Sequence, residues 1–219
     1  MTLLAFDTSS AAITAAVLTS GGEVLSEVTQ LGATAHGELL APTINQALEL
    51  AGVTPVELSG IAVGVGPGPF TGLRVGVVTA RVMAEALALP LHGVCSLDGI
   101  AMQVVVQGLC DSEFMVATDA RRREVYAAAY DRDGSRVSGP YVQPAVDLPS
   151  ALRQGVVFGA GALLYPTAFS DVRAPEYVNA VWLGRVAIDH PERVTDTTPL
   201  YLRRPDAIEN VQRKRVTPA

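Results

Sequence analysis

The sequence predicts an α/β protein of two lobes, each built on a duplicated β-β-β-α-β-α unit. Three observations carry this. The second half of the chain repeats the opening of the first at a constant offset. Within the first half, the apolar pattern changes from the two-residue period of strands to the longer period of helices. Finally, the run Gly66-Pro67-Gly68-Pro69-Phe70-Thr71-Gly72-Leu73-Arg74-Val75-Gly76 joins the short apolar stretch Ile61 to Val65 to a long apolar segment. That order reads as strand, stiff loop and helix, with glycine supplying backbone freedom and proline supplying rigidity.

Leu4-Ala5-Phe6-Asp7-Thr8 opens the first half and Val116-Ala117-Thr118-Asp119-Ala120 opens the second. At the same offset Ile13 answers to Val125, Ala15 to Ala127, Ala16 to Ala128 and Gly22 to Gly134. Each half therefore begins as a strand ending in Asp, a second strand, a turn (Gly21-Gly22 or Asp133-Gly134) and a third strand. In the first half Leu40, Ile44, Ala47, Leu48 and Ala51 then mark a helix over 39–51, with Pro42 in its first turn and Gly52 closing it. A strand at 59–64, the Gly/Pro turn, a helix from about Thr71 to Leu89 ended by Pro90, and a strand at 91–95 follow. Ser96 is read as the cap of a third helix that carries Leu97, Ile100, Ala101, Val104 and Val105 on one face. The second half is a looser copy, with a strand at 155–159, the turn Gly159-Ala160-Gly161 and a helix around 176–189 whose Val178, Val181, Trp182 and Val186 share a face. The lobes are assigned to 1–98 and 99–219, the terminal segment packing back on the first.

Composition narrows the functional classes. The chain has 219 residues, of which 49% are apolar and 17% charged, and a net charge of −6. That charge argues against a broad nucleic-acid-binding surface of its own. No apolar run approaches the roughly 20 residues of a membrane-spanning helix, and Asp7 interrupts the first apolar stretch too early for a secretory leader. Cys95 and Cys110 have no metal-ligand spacing and are read as buried thiols of a cytosolic protein. Among the histidines, His36 has no companion at ligand spacing and is read as a helix cap; a metal site needs at least three converging ligands.

The helix after the Gly/Pro turn is apolar on nearly every side, with Arg74, Arg81 and Glu85 forming one narrow charged stripe. Along another stripe, Gly72, Gly76, Ala80, Ala84 and Ala88 place a small residue at every fourth position, which lets a second helix approach closely. That second helix is either the one at 39–51 or one belonging to another molecule.

The Gly66 to Gly76 string, with 1–20, 62–92, 115–130 and the ending Pro199-Leu200-Tyr201-Leu202-Arg203-Arg204-Pro205-Asp206-Ala207, resembles the TsaB (YeaZ-type) family. These are non-catalytic paralogues of TsaD, the transferase of tRNA threonylcarbamoyladenosine synthesis. The resemblance implies a two-lobed actin-like ATPase fold of the ASKHA/Hsp70 type. It implies an accessory subunit, not an enzyme, that forms a cytoplasmic heterodimer with TsaD and is joined by the ATPase TsaE. TsaD modifies N6 of the adenosine adjacent to the anticodon; tRNA reaches this chain indirectly. In isolation the chain would pair with itself through the same helices. Leu40, Ile44, Leu48, Gly72, Gly76, Val77, Ala80 and Met83 are the expected partner interface. Asp7-Thr8-Ser9 stands where that fold places its first phosphate loop, a vestigial nucleotide site; the alternative is an Asp that ties its own turn. No cofactor is required, and ATP or ADP with magnesium would sit at the cleft or the partner junction. The histidine pair with which TsaD holds its metal is missing here. Two rival functions follow from the same fold: a free-standing ATP-dependent phosphotransferase and a glycoprotease-like metallopeptidase. The tail Arg213-Lys214-Arg215 either touches tRNA phosphates or is solvated.

Overall fold

The structure, a computed structural model, describes residues 1–32 and 35–203. Its first unit runs β1 (Thr2–Asp7), β2 (Ala12–Thr19), β3 (Val24–Leu31), α1 (His36–Ala51), β4 (Leu58–Gly64), α2 (Phe70–Leu87), β5 (Leu91–Val94) and α3 (Ser96–Val106). The second runs β6 (Phe114–Asp119), β7 (Glu124–Tyr130), β8 (Arg136–Pro144), α4 (Ser150–Gln154), β9 (Val156–Phe158), α5 (Ala160–Leu164), β10 (Asp171–Arg173) and α6 (Ala180–Asp189). The sheets have the orders β3-β2-β1-β4-β5 and β8-β7-β6-β9-β10. In both, the first three strands are antiparallel and the last two add in parallel. Equal order and direction in the two sheets express the duplication that the sequence shows only in part.

Five layers result. On β1, Leu4 and Phe6 pack with α1 and α2, whereas Leu3 and Ala5 face α3 and α6. Both faces of the strand are covered, so it reads as one apolar run. On β6 the alternation recurs: Phe114 and Val116 join the central layer of α3 and α6, and Met115 and Ala117 face Ala162 of α5. The central helices are shared. Val181, Leu183 and Val186 of α6 pack in one cluster with Leu3, Ala5 and Leu18 of the first sheet. A boundary at 98/99 therefore falls inside α3; the units meet in the turn between Val106 and Phe114.

Several boundaries move. Because α1 starts at His36, Pro42 lies in its second turn, on the exposed side of the helix. Gly52 adopts the left-handed cap that its position demands. Cys95, not Ser96, is the N-cap of α3, and the Ser96 side chain makes no capping bond. In the second half, α6 begins only at Ala180, capped by Asn179, whose side chain accepts from the Val181 N–H at 2.8 Å. The second unit looked like a loose copy because α4 and α5 have five residues each, against 16 and 18 in α1 and α2. A helix of little more than one turn displays no period.

Candidate functional site

Asp7 ends β1 and is fully buried. Its Oδ1 accepts from the backbone N–H and the hydroxyl of Ser9, both at 2.7 Å, and its Oδ2 accepts from Ser96 Oγ at 2.6 Å. The Gly66 N–H in turn donates to Ser96 Oγ at 3.1 Å. A Cβ on Gly64 would collide with Asp7 Oδ2, so that glycine makes room for the carboxylate. Burial pushes the Asp7 carboxyl above its usual range, although the Ser96 and Ser9 bonds pull the other way. Both oxygens are thus taken by donors of the chain itself, and this loop does not fit a hydrated magnesium ion as placed. Asp7 is a tie between the β1 turn, the end of β4 and the start of α3. Thr8 makes a second tie, its hydroxyl donating to the Gly72 carbonyl at 2.8 Å.

That bond accounts for the two glycines of the small-residue stripe of α2. A Cβ on Gly72 would strike the Thr8 carbonyl oxygen, and one on Gly76 would strike Thr8 Oγ1. The glycines let α2 sit directly on the β1 turn. The second lobe repeats the device, since a Cβ on Gly161 would meet the backbone of Thr118.

The remaining side of α2 faces out. Val75, Val78, Val82 and Ala86, at i, i+3, i+7 and i+11, form an apolar strip in which Val78 and Val82 are 56% and 63% exposed. On one flank α2 packs on α1. On the other runs an extended strap. Thr195 bridges Gly93 of the β5 edge, Arg81 donates to Thr197 O at 2.7 Å, and the Leu200 N–H donates to Val65 O at 2.8 Å. Tyr201 packs on Phe70 with ring centroids 4.8 Å apart, and Arg203 reaches the other lobe through Ala120 O and Glu124. Between the lobes lies a cleft of about 330 Å³, lined by Ser9, Ser10 and His36 from one side and Asp119, Arg121 and Glu176 from the other.

The family model "TsaD: tRNA N6-adenosine threonylcarbamoyltransferase" matches residues 23–157. An uncharacterized protein of Mycobacterium tuberculosis is 39% identical over 210 residues, covering 94% of this chain and 93% of its own length. The Bacillus subtilis tRNA threonylcarbamoyladenosine biosynthesis protein TsaB is 34% identical over 131 residues, 59% of this chain and 55% of that protein. The crystal structure of YeaZ from Pseudomonas aeruginosa superimposes with a TM-score of 0.76 at 27% identity, covering 92% of this chain and 99% of that one. The chain belongs to the TsaB (YeaZ-type) family.

The residues of the expected TsaB interface lie largely inside the chain. Leu40, Ile44, Leu48, Gly72, Gly76, Val77 and Ala80 are buried within the chain, and Met83 is half-buried. Apart from the two glycines, these residues pack α1 and α2 on each other and on the first sheet; Gly72 and Gly76 face Thr8, and Ala80 and Ala84 face the core. What α2 offers a partner is the Val75, Val78, Val82 and Ala86 strip, one third of a turn away. The heptad-like spacing of those valines was the available signal; in a helix apolar on every side, small residues pointed to close packing but not to which neighbour.

Other expectations also shift. His36 is the first residue of α1, and its Nε2 lies 2.7 Å from the Ser10 carbonyl, so it ties the β1–β2 turn instead of capping its helix. Cys95 is buried, but Cys110 is half-exposed. Among the described residues no three His, Cys, Asp or Glu side chains gather as a metal-ligand set, and no helix is long and apolar enough to cross a membrane. Residues Arg204 to Ala207 of the family ending, and the Arg213-Lys214-Arg215 tail, lie outside the described residues. The roles of Ser96 and Tyr201 carried no sequence signal, because each acts on a residue distant in the chain.

Proposed function

We propose that this chain plays the TsaB part in tRNA threonylcarbamoyladenosine synthesis, as a non-catalytic cytoplasmic subunit that binds and supports TsaD. The observation that carries the reading is the likeness to proteins named for that pathway, joined to a helix whose outward side is an apolar strip. In this reading Val75, Val78, Val82 and Ala86 of α2, flanked by α1, meet the equivalent helix pair of TsaD. A subunit that binds only the competent conformation of the transferase raises its population by the difference in affinity between states. TsaE joins the complex as its ATPase, and tRNA is bound mainly by the partner. Without TsaD, the same strip pairs two copies of this chain. In this reading the chain itself requires no cofactor, which the engagement of Asp7, Thr8 and Ser9 in internal ties supports.

Reconstituting the modification with and without this chain tests the reading. Product should require it; full yield from TsaD and the other components alone sinks the proposal. A finer test replaces Val78 and Val82 together by Glu. Both are exposed, so the variant should keep its fold by circular dichroism and lose co-elution with TsaD by about a hundredfold or more in affinity, as for central interface anchors. Retained association would move the interface elsewhere.

A further inference from the structure

We infer that the mouth between the two lobes, where the strap crosses, is a contact surface for an unpaired segment of RNA. The choice of RNA among polyanions rests on the function proposed above; the surface itself rests on four observations. First, Arg121, Arg122 and Arg123 follow one another in the left-handed region, with φ of 61, 54 and 66°. Non-glycine residues rarely adopt that region even singly, and such outliers are held where a surrounding structure over-determines them. The turn is pinned at its base: the Arg121 N–H donates to Asp119 Oδ1 at 2.7 Å, and the Glu124 N–H donates to the Arg121 carbonyl at 3.0 Å. All three arginines are exposed.

Second, Arg121 and Arg122 share a concavity with aromatic side chains, among them Phe70 of the other lobe and Tyr201 of the strap. A concavity of about 180 Å³ is lined by Phe70, Arg121, Arg122, Tyr126, Tyr201 and Arg203. Third, its platform is pre-built. The Arg74 guanidinium lies 3.9 Å over the Phe70 ring, Tyr201 packs on the same residue, and Arg74 Nε reaches Tyr201 Oη at 3.4 Å. Tyr201 remains 40% exposed. Fourth, the local charge opposes that of the chain. Arginines 74, 121, 122, 123 and 203 stand in this part of a protein of net charge −6, with Asp119 beside Arg121 and Glu124 beside Arg203.

Arginines that track phosphates beside aromatic faces that stack bases are the recognition mode of unpaired nucleic acid. A duplex keeps its bases stacked on each other and has no use for the platform. The patch is small, so it supplements a stronger site on the partner. This also reconciles an acidic chain with an RNA-directed role.

Fluorescence anisotropy of a labelled single-stranded oligoadenylate on the full-length chain tests the surface directly. Binding should weaken with salt, with a log–log slope of about −0.7 for each phosphate contacted. Arg122→Asn with Arg123→Asn, chosen because Asn tolerates the left-handed backbone, should lower affinity about tenfold and flatten the slope by about 1.4. Tyr201→Ala should lower affinity about fivefold or more while leaving the slope unchanged, the signature of lost stacking. Unchanged binding in the arginine variant overturns the inference. So does equal competition by ATP or inorganic phosphate, which marks a small-anion site, or equal affinity for duplex RNA. In the reconstituted modification, the arginine variant should raise the KM for tRNA severalfold with kcat and TsaD co-elution intact. If wild-type chain fails to support modification, the functional reading falls while the anisotropy result still stands or falls alone.

Discussion

The buried Asp7 shows how a single residue changes its meaning with its surroundings. An aspartate after the first strand reads as a phosphate-loop residue, yet here it binds two serines and lies in a space vacated by Gly64. Its pH behaviour follows with a definite sign. Burial raises the folded carboxyl above its unfolded value of about 4. The folded state therefore holds the proton more tightly, and the stability this contributes is complete below about pH 4 and lost as pH rises through the folded value. Asp7→Asn keeps the acceptor for Ser9 and removes the buried charge. Denaturant titrations of the variant between about pH 4 and 7 should show this residue's slope abolished; an unaltered slope would mean Asp7 does not titrate in that window. Gly76 makes the steric case at the same scale. A valine there must push Thr8 away from α2, at a cost of about 1–3 kcal/mol. The loss should appear in monomer unfolding, whereas Val78→Glu should register only in association.

Among elements, α2 and the strap decide what is accessible. The helix is covered on three sides by the sheet, α1 and the strap, so its one open strip is narrower than its composition implies. The strap depends on Gly93, because a Cβ there would run into the carbonyl oxygen of Asp196. Gly93→Ala should lift residues 195–203 from the β5 edge, and limited proteolysis should cut that segment faster while far-UV circular dichroism stays unchanged. Cleavage at the wild-type rate would show that the strap tolerates the displacement. Because Tyr201 belongs to the strap, the same variant should weaken oligoadenylate binding.

Across the whole molecule, the lobes are joined through the shared layer of α3 and α6 and by a polar cluster of buried Asp98, Cys95 and Tyr130 that Arg136 closes from the surface. Tyr130 of β7 donates to Asp98 Oδ1 of α3 at 2.7 Å, Arg136 of β8 lies 3.6 Å from the same oxygen, and Arg136 Nη1 donates to Cys95 Sγ at 3.5 Å. Burial, reinforced by the Asp98 charge, pushes the Cys95 thiol up to about 12 and the Tyr130 phenol well above its ordinary value. Cys95 should therefore resist thiol reagents at about pH 8 in the folded protein, while half-exposed Cys110 reacts first. Tyr130→Phe removes a hydrogen bond to a charged group, worth about 1.5–3 kcal/mol. It should speed Cys95 labelling at least about tenfold if the lobes open through this contact; an unchanged rate would place the opening elsewhere.

What could be read from the chain followed from local chemistry: the first meander, the glycine cap at Gly52, the strand–loop–helix of the Gly/Pro run, and the repeat anchored on Asp7 and Asp119. Periodicity and turn chemistry act within a few residues, so they survive in one dimension. The short α4 and α5, the sharing of α3 and α6, and the inward turn of Asp7 were settled only by packing. The same holds for the side of α2 left uncovered and for the meeting of Arg121 and Arg122 with Phe70 and Tyr201. Each depends on which distant segment fills the space beside a residue, and steric exclusion between segments leaves no period in the sequence.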